Sequence, residues 1–239
     1  MDQKVLKTEA VRVQKFCSDA GICSRRTAEE WIRARRLTLN GRVVTLGDKM
    51  TENDVLLFDK KLLKKNGDKK TKVLAFYKPR KIEVTMSAQE DTKTLLDFDF
   101  GTERVFPIGR LDKDSEGLLL LTNDGVLGNR VAHPSFGKEK EYLVFMNKEF
   151  DHNFLRAMEK GVKIDRRVTA PCKIFRIEPK IFRIILSEGR NRQIRKMCEV
   201  LGYKVLRLMR IRIAHIKLGE MKPGKWRILS TTELWGFDR

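Results

Sequence analysis

The sequence lacks any long apolar run. No stretch approaches the roughly 18 consecutive apolar residues that a membrane-spanning helix needs. The first residues, Met1-Asp2-Gln3-Lys4, also lack the apolar core of a secretory signal peptide. Neither a membrane anchor nor an export signal is indicated, so we predict a cytoplasmic protein that makes no membrane contact.

Metal-binding side chains are few and unsuitably spaced. No two of the four cysteines are separated by two residues, and the three histidines are scattered, so the ligand spacing of a zinc site is missing. In a reducing cytosol, small buried thiols are a far more common outcome than a disulfide or a redox centre. We therefore predict no metal and assign no function to the cysteines. They are Cys17, Cys23, Cys172 and Cys198.

Acidic residues are heavily outnumbered. The chain has 51 Lys and Arg against 32 Asp and Glu, which gives a formal charge of +19 at pH 7. Such an excess usually serves to bind a polyanion, either nucleic acid or an anionic membrane. Because nothing indicates a membrane segment, nucleic acid is the better prediction.

The first part of the chain predicts two short helices. Residues 1–10 carry no pattern and are expected to be a loose tail. Apolar residues then recur at helical spacing from Val13 to Ala20, and again from Ala28 to Ile32. Ser24 is placed to cap the second of these helices.

Short strands are expected after the helices. Residues 37–44, Leu-Thr-Leu-Asn-Gly-Arg-Val-Val, have the pattern of a strand, a tight two-residue turn and a returning strand. A third strand is expected from Asp54 to Phe58. Together with the helices, these strands predict a compact α+β unit over residues 11–58, near the lower size limit for independent folding.

A lysine-rich stretch follows this unit. Residues 60–72 contain seven lysines and one acid, with Asn66-Gly67 in the middle, and nothing in them could support a core. We interpret residues 59–72 as a basic linker. Two roles remain open for it: a plain solvated spacer, or a spacer that also grips phosphates.

Strand-like and helical runs alternate beyond the linker, without any internal repeat or low-complexity tract. This order predicts an α+β domain over residues 73–239, with a mixed, mainly antiparallel sheet flanked by helices. The expected strands are Val73–Tyr77, Val105–Ile108, Leu118–Leu121, Tyr142–Phe145 and Ile181–Leu186. The expected helices are Val126–His133, Phe150–Lys160 and Gln193–Leu201.

Cationic side chains gather at the second N-terminal helix. Arg25 and Arg26 begin this helix, where the macrodipole and free amides are already positive. This placement is unfavourable unless an anion binds there, and helix amides with two guanidiniums form a phosphate site. The alternative is an ordinary solvated basic face. Further candidate RNA contacts in this unit are Arg12, Lys15 and Arg33, and Arg35 and Arg36 follow the helix.

The same residues resemble a known RNA-binding module. Gly21-Ile22-Cys23-Ser24-Arg25-Arg26, with Trp31-Ile32, Leu39-Asn40-Gly41 and Gly47-Asp48, is similar to the S4 RNA-binding domain. The resemblance covers roughly residues 11–58. It implies that the N-terminal unit docks onto structured RNA through shape and phosphate contacts and does not itself perform chemistry.

Residues 105–125 are the most informative part of the sequence. Val-Phe-Pro-Ile-Gly-Arg-Leu-Asp-Lys-Asp-Ser-Glu-Gly-Leu-Leu-Leu-Leu-Thr-Asn-Asp-Gly predicts a strand, an ion-rich loop, a buried strand and a second turn. Asp112 then lies at the end of a strand, where a rigid element can present a carboxylate to a cleft. From these residues alone, an Asp in such a loop is more often a turn former or a surface charge.

Three ordered motifs resemble the RsuA/RluB/RluE/RluF family of ribosomal RNA pseudouridine synthases, and the resemblance covers nearly the whole chain. The first is Gly109-Arg110-Leu111-Asp112 with the Gly117-Leu118-Leu119-Leu120-Leu121-Thr122 strand. The second is Lys140-Glu141-Tyr142-Leu143-Val144, and the third is Glu188-Gly189-Arg190-Asn191-Arg192-Gln193-Ile194-Arg195-Lys196-Met197. Motifs in this order, behind an S4-like module, are far more specific than any single short pattern.

The resemblance implies a cofactor-free isomerisation of uridine, in which the C1′–N1 bond breaks and the base rejoins the sugar through C5. Asp112 would be the catalytic carboxylate, acting as nucleophile or base. Arg195 would pair with it and keep it ionised. Tyr142 would stack on the uracil and could help to remove the C5 proton.

Several arginines are expected to contact the RNA. The target uridine must be flipped out of its stack, and Arg110 could fill the space that it leaves or contact a phosphate. Residues 183–212 hold nine Lys or Arg against two Glu, which predicts further backbone contacts. The candidates in this interval are Arg190, Arg192, Arg207, Arg210 and Arg212.

Within the family, the RluF type is resembled by three segments: Phe106-Pro107-Ile108, Lys113-Asp114-Ser115 and Met197-Cys198-Glu199. That type acts on large-subunit ribosomal RNA, and we expect a monomer. Tyr77-Lys78-Pro79-Arg80-Lys81 departs from the family's Asn-Lys-Pro segment and the glycine soon after it. Two alternatives stay open. One is the same reaction on small-subunit RNA or on another large-subunit uridine, and the other is a non-catalytic RNA-binding factor in ribosome assembly.

Overall fold

The computed structural model describes residues 9–51, 53–63, 70–88, 90–101 and 104–237. By its internal contacts, the chain divides into two compact units between Thr71 and Lys72.

The described residues of the N-terminal unit form two helices and six short strands. Its strands form a two-stranded pair, β1–β4, and a four-stranded sheet in the order β3-β2-β5-β6. Every pairing between neighbours is antiparallel. The elements are β1 (Val11–Arg12), α1 (Val13–Asp19), α2 (Arg25–Arg33), β2 (Leu37–Leu39), β3 (Arg42–Val43), β4 (Lys49–Met50), β5 (Leu56–Phe58) and β6 (Lys61–Leu62).

Local signals in the sequence explain most of this unit. The Ser24 side chain accepts a hydrogen bond from the Thr27 amide at 2.9 Å and so caps α2, as predicted. Asn40 and Gly41 both have positive φ, 49° and 84°, which is the geometry of the tight turn expected between β2 and β3. Both predictions are confirmed. Apolar side chains of both helices and of the strands form one buried cluster.

The lysine-rich stretch is not wholly a linker. Lys61 and Leu62 form β6, which pairs with β5 through Leu57 and Phe58. The expectation of a spacer from residue 59 onward is therefore wrong at its first residues. The strand pairing continues there, and no hydrophobic run in the sequence indicates it. Residues 64–69 of this stretch, and residues 1–8 of the expected tail, lie outside the described residues.

The C-terminal unit holds four helices and eleven strands among its described residues. Two 3-10 helices, Leu95–Asp97 and Pro134–Phe136, lie in its loops. The helices are α3 (Gly125–Ala132), α4 (His152–Lys160), α5 (Gln193–Val200) and α6 (Thr231–Trp235). The strands are β7 (Val73–Lys78), β8 (Phe106–Ile108), β9 (Glu116–Thr122), β10 (Lys140–Met146), β11 (Lys163–Ile164), β12 (Arg167–Val168), β13 (Lys173–Glu178), β14 (Ile181–Leu186), β15 (Val205–Ile213), β16 (Ile216–Lys217) and β17 (Trp226–Ile228).

A nine-stranded sheet organises this unit. Its main path is β13-β14-β10-β15-β9-β7-β17, with β8 paired to β9 and β16 paired to β15. Only the β15–β9 pairing is parallel among the described strands. Helices α4 and α5 contribute to the apolar cluster on one face of the sheet, and α3 contributes to a second cluster. The predicted α+β class with a mixed, mainly antiparallel sheet flanked by helices is confirmed.

The central strand β15 is the main element that the sequence did not predict. Arginines alternate with apolar residues along it, at Arg207, Arg210 and Arg212, and in the sequence these arginines predict RNA backbone contacts. In the structure, β15 lies between β10 and β9 in the middle of the sheet. Arg210 on this strand is buried and must therefore find partners inside the protein, because a buried charge is costly without them.

The cysteines are all free. Burial raises the pKa of the Cys172 thiol to about 11 and that of Cys198 to about 12, so both are protonated at neutral pH. Among the described residues, no group of three or more His, Cys, Asp or Glu lies close enough together to hold a metal ion. None of the helices in the same residues is long and apolar enough to cross a membrane.

Candidate active site

The loop between β8 and β9 carries Asp112. Gly109 has a φ of 70°, Leu111 is buried, and the Ser115 amide donates to the Asp112 carbonyl at 3.0 Å, which closes a turn. The sequence forms a loop here because a glycine ends one strand and charged residues interrupt the apolar pattern. The loop thus fixes the position of the Asp112 backbone.

A close approach of two strands brings this loop against β15. Gly117 in β9 stands opposite Arg210 in the parallel pairing and has a φ of 104°. A Cβ at Gly117 would lie 2.3 Å from the Arg210 carbonyl oxygen, so only glycine fits. The start of β9, and with it the Asp112 loop, is therefore tied to the centre of the sheet.

A cavity of about 350 Å³ opens beside Asp112. Its volume lies within the range of sites for small ligands. Arg110, Asp112, Tyr142, Arg190 and Arg192 all line it. The structure therefore brings together five of the residues singled out from the three motifs.

Tyr142 forms part of the cavity wall. It lies on β10, between Ile184 of β14 and Arg210 of β15, and is 9% exposed. A register shift between Glu141 and Tyr142 interrupts the regular pairing of β10 with β15 at this point. Such irregularities re-aim a side chain. Tyr142 thus offers an aromatic ring in a largely buried position beside Asp112.

The carboxylate of Asp112 has no protein partner within the described part of the chain. It accepts no hydrogen bond and forms no ion pair within 4 Å. Its charge nevertheless acts on two nearby cations, Lys78 and Arg195. Burial lowers the pKa values of both side chains, and the Asp112 carboxylate opposes this lowering. Asp112 is thus an unpaired anion in cationic surroundings.

Arg195 does not pair directly with Asp112, contrary to the expectation from the resemblance. Its guanidinium donates to the Val205 carbonyl at 3.1 Å and to the Asp114 carbonyl and the Ser115 hydroxyl, both at 3.3 Å. It is half-buried, which lowers its pKa. Because Asp114 and Ser115 belong to the turn that follows Asp112, Arg195 holds the loop in place from α5.

Lys78, at the end of β7, also contacts the loop, since its ammonium lies 3.5 Å from the Lys113 carbonyl oxygen. Its side chain is 0% exposed, and its ammonium donates to the Pro79 and Ile82 carbonyls at 2.8 Å each. Burial lowers its pKa to about 8, and the nearby Asp112 opposes this effect. The Lys81 amide donates to the Lys113 carbonyl at 2.7 Å. The segment after β7 is therefore fastened to the Asp112 loop.

The two departures from the family pattern have local explanations. The Tyr77 hydroxyl donates to a Glu116 carboxylate oxygen at 3.0 Å, and Arg207 donates to the other oxygen at 2.5 Å. Lys81 has a φ of 66°, in the left-handed region that favours glycine. The turn is therefore kept without glycine, at the cost of backbone strain.

The arginines of the first and third motifs differ in how far protein partners engage them. The Arg190 guanidinium donates to the Val168 carbonyl at 2.8 Å and forms an ion pair with Glu188 at 3.3 Å. Arg192 is the N-cap residue of α5, with a φ of 52°, and lies 4.0 Å from the Asp114 carboxylate. Arg110 is exposed and has no side-chain partner in the described ranges. Arg110 and Arg192 are thus the freer cations beside the cavity.

The arginines of β15 have internal partners, which corrects their interpretation as a group of surface contacts. Arg212 forms ion pairs with Glu141 at 2.5 Å and Glu139 at 3.1 Å. Arg210 is only 2% exposed and donates to two backbone carbonyls. Sequence reasoning found no special position for Arg210 or for Lys140, both of which line the cavity, because a run of cations does not reveal which of them are buried.

The candidate RNA contacts of the N-terminal unit also fall into two groups. Arg25 and Arg26, at the start of α2, are exposed and have no side-chain partner among the described residues. Arg12 is also exposed, at the N-cap of α1. The others have acidic neighbours: Lys15 pairs with Asp19 at 2.6 Å, Arg33 lies 3.8 Å from Glu29, and Arg36 pairs with Asp59.

Two family models match the chain. Residues 72–200 match the RNA pseudouridylate synthase model, and residues 11–56 match the S4 domain model. The first match contains Asp112, Tyr142 and Arg195, and the second contains Arg25 and Arg26. Each match falls within one of the two compact units.

Relatives with assigned names agree with these matches. The dual-specificity RNA pseudouridine synthase RluF of Escherichia coli K12 is 41% identical over 96% of this chain and 79% of its own length. The ribosomal large subunit pseudouridine synthase B of Bacillus subtilis 168 is 37% identical over 93% of each chain. A solved pseudouridylate synthase superposes with a TM-score of 0.70 at 28% identity, covering 95% of this chain and 99% of that one. The resemblance to the RsuA/RluB/RluE/RluF family is therefore confirmed, and the chain belongs to the RNA pseudouridylate synthase family, with an S4 domain at its N-terminal end.

Proposed function

We propose that this protein converts a specific uridine of ribosomal RNA to pseudouridine, with Asp112 as the catalytic carboxylate. One observation supports this most strongly: Asp112 is an unpaired carboxylate that lines a cavity together with Tyr142. Large-subunit RNA is the favoured substrate, since one relative, synthase B of Bacillus subtilis, is named for the large ribosomal subunit. The protein would act as a cytoplasmic monomer without a cofactor.

Asp112 is suited to the first chemical step. As the C1′–N1 bond breaks, its electron pair stays with the uracil. The carboxylate then either bonds to C1′ or takes the C2′ proton, so that the sugar does not remain a cation. A carboxylate without hydrogen-bond partners is free to do either. Lys78 and the Lys81 amide hold the loop at the Lys113 carbonyl, and Arg195 holds it at Ser115, which fixes the carboxylate for attack.

Tyr142 would keep the detached uracil in place. Its ring is largely buried beside Asp112, and a base can stack on such a surface. The base must turn so that C5 faces C1′ before the new bond forms and the C5 proton leaves. No electrons are gained or lost overall, which agrees with a reaction that needs no redox partner.

The target uridine must leave its helix or loop to reach the cavity, which costs a few kcal/mol. Arg110 is exposed beside Asp112 and is free of protein partners within the described part of the unit. It is our candidate for filling the gap or contacting an adjacent phosphate, together with Arg192 and the partly engaged Arg190. The N-terminal unit would supply docking through Arg25 and Arg26, helped by Arg12, Lys15 and Arg33.

Mapping pseudouridines in a deletion strain tests this proposal. Ribosomal RNA from a strain lacking this gene should have lost pseudouridine at one or a few positions, and the wild-type gene should restore them. A missing position in the large subunit identifies the favoured substrate, and one in the small subunit moves the activity to that RNA. Unchanged pseudouridine in both subunits would contradict an rRNA-modifying function and favour a non-catalytic assembly role.

A further inference from the structure

Arg210 is a buried cation that the proposed chemistry has not used. It lies in the middle of β15, directly opposite Tyr142 of β10, and is 2% exposed. It also lines the cavity that contains Asp112. Arginine is rarely buried to this extent unless its charge is compensated.

The protein compensates Arg210 only in part. Its Nε donates to the Leu118 carbonyl at 2.7 Å, and Nη1 donates to the Arg110 carbonyl at 3.3 Å. Nη2 is buried and has no hydrogen-bond partner in the part of the chain that the structure describes. No carboxylate from the described ranges lies within 4 Å of this guanidinium. Two neutral carbonyls therefore hold a full positive charge that has no counter-ion.

A second cation lies close to the first. Lys140 also lines the cavity, two residues before Tyr142 on β10, and its ammonium donates to the Lys138 carbonyl at 3.3 Å. Burial lowers the pKa of Lys140, and the nearby charge of Arg210 lowers it further. No ion pair of Lys140 with a described carboxylate falls within 4 Å. Tyr142 therefore has an uncompensated cation on β10 and another on β15 beside it.

The reaction produces an anion at this place. When the C1′–N1 bond breaks, both bonding electrons leave with the uracil, and the negative charge spreads over its nitrogen and carbonyl oxygens. We propose that Arg210, supported by Lys140, binds the detached uracil and stabilises its negative charge while the base turns beside Tyr142. This inference rests on the proposed function and assigns the base-binding part of the same cavity.

The location favours the base over a phosphate as the ligand. A phosphate stays on the RNA backbone, where exposed side chains such as Arg110 and Arg192 can reach it. Arg210 lies deeper, next to the ring that would stack on the base. A preorganised cation in a site sheltered from water stabilises a developing anion more strongly than one in solvent.

The test uses a nucleobase whose negative charge is controlled by pH. The probe is the ribosomal RNA stem-loop that contains the mapped target, with either uridine or 5-nitrouridine at that position. The nitro group makes the ring acidic enough to lose its N3 proton near neutral pH. The affinity for each probe is measured from mildly acidic to mildly alkaline pH. The proteins compared are the wild type, Arg210→Met, Arg210→Lys and Lys217→Met. Lys217→Met removes an exposed cation of the same unit as a matched control.

We expect the wild-type preference for the nitro probe over the uridine probe to rise about tenfold as the nitro base ionises. Arg210→Met should lose this rise and keep its affinity for uridine RNA, and Lys217→Met should behave like wild type. On the natural RNA, Arg210→Met should turn over about 10²–10³-fold more slowly in a single-turnover assay. If Arg210→Met does not fold, Arg210→Lys, which keeps the charge but changes its geometry, should retain part of the preference.

Four outcomes would overturn the inference. An unchanged preference in folded Arg210→Met, or no preference in the wild type, would show that the cation does not bind the charged base. Equal weakening for both probes, with a shallower salt dependence, would assign Arg210 to a phosphate. Loss of turnover with a normal preference would mean that Arg210 only positions the Arg110 loop. A wild-type protein without activity on ribosomal RNA would instead contradict the proposed function.

Discussion

The two units use arginine in opposite ways. In the N-terminal unit, Arg25 and Arg26 stand exposed at the start of a helix without protein partners among the described residues. In the C-terminal unit, Arg195 and Arg210 are half-buried or buried, and they donate to backbone carbonyls around Asp112. Exposed, unpaired cations suit salt-dependent docking on a polyanion, whereas buried cations that are bonded on several sides fix a geometry and a local potential. Substitutions of the exposed arginines should therefore weaken RNA binding, whereas substitutions of the buried arginines should disturb the site around Asp112.

Loss of the catalytic carboxylate should have the largest effect. Asp112→Asn keeps the size of the side chain but removes the nucleophile or base, so tritium release from C5-labelled uridine in the RNA should fall at least about 10⁴-fold. RNA affinity should stay within a factor of about two, because the proposed phosphate contacts are made by arginines and lysines and not by Asp112. Asp114→Asn, an exposed neighbour in the same loop, is the matched control and should retain most activity. Equal losses in both variants would contradict the special role of position 112.

Gly117 should be nearly irreplaceable for folding of the C-terminal unit. A Cβ there meets the Arg210 backbone at 2.3 Å, so Gly117→Ala should lower the free energy of unfolding by about 3 kcal/mol or more. Gly47 has a similar φ of 101° but open space around it. Gly47→Ala should therefore cost only about 1 kcal/mol. Calorimetry that gives the same loss for both variants would show that strand proximity is not the cause.

Lys78 should make stability depend on alkaline pH. Its pKa is lowered from 10.5 to about 8 by burial in the folded protein, so between these values the unfolded chain binds more protons. Stability should therefore rise with pH across that window and stay level below it. The free energy of unfolding of the wild type, relative to that of Lys78→Met, should increase by roughly 1–3 kcal/mol across this pH window. Denaturant unfolding measures this difference. A constant difference across the window would mean that Lys78 has an ordinary pKa.

The docking arginines should affect binding and leave the chemistry unchanged. Arg25→Ala combined with Arg26→Ala should weaken RNA binding by about tenfold. The slope of log affinity against log salt should become shallower by about 0.7–0.9 for each phosphate that the variant no longer neutralises. The single-turnover rate at saturating RNA should not change. Lys217→Ala, an exposed cation of the other unit, serves as control. A reduced rate at saturation would break the separation of roles between the units.

Lys81 should show the smallest effect. Its φ of 66° suits glycine better than lysine, so Lys81→Gly should stabilise the C-terminal unit by up to about 1 kcal/mol. Thermal unfolding measures this. A destabilised variant would mean that the lysine side chain makes contacts that outweigh the strain.

The sequence predicted the features that depend on local patterns. Neighbouring residues are enough to predict the Ser24 cap, the Asn40-Gly41 turn and the apolar strand after Asp112. The second motif singled out Tyr142, which lines the cavity in the structure. The strand β15 could not be predicted in this way, because arginines that alternate with apolar residues are also typical of a solvent-exposed segment. Which residue Arg195 bonds to, and why Gly117 must be glycine, depend on strands that meet only in the folded sheet.

A structure of Asp112→Asn bound to its ribosomal RNA stem-loop would test the central claim most directly. The expected result is a uridine flipped out of the RNA, with its C1′ in contact with the side chain at position 112 and its base on the Tyr142 ring. A complex in which the RNA leaves this cavity empty, with the target uridine still stacked, would contradict the account.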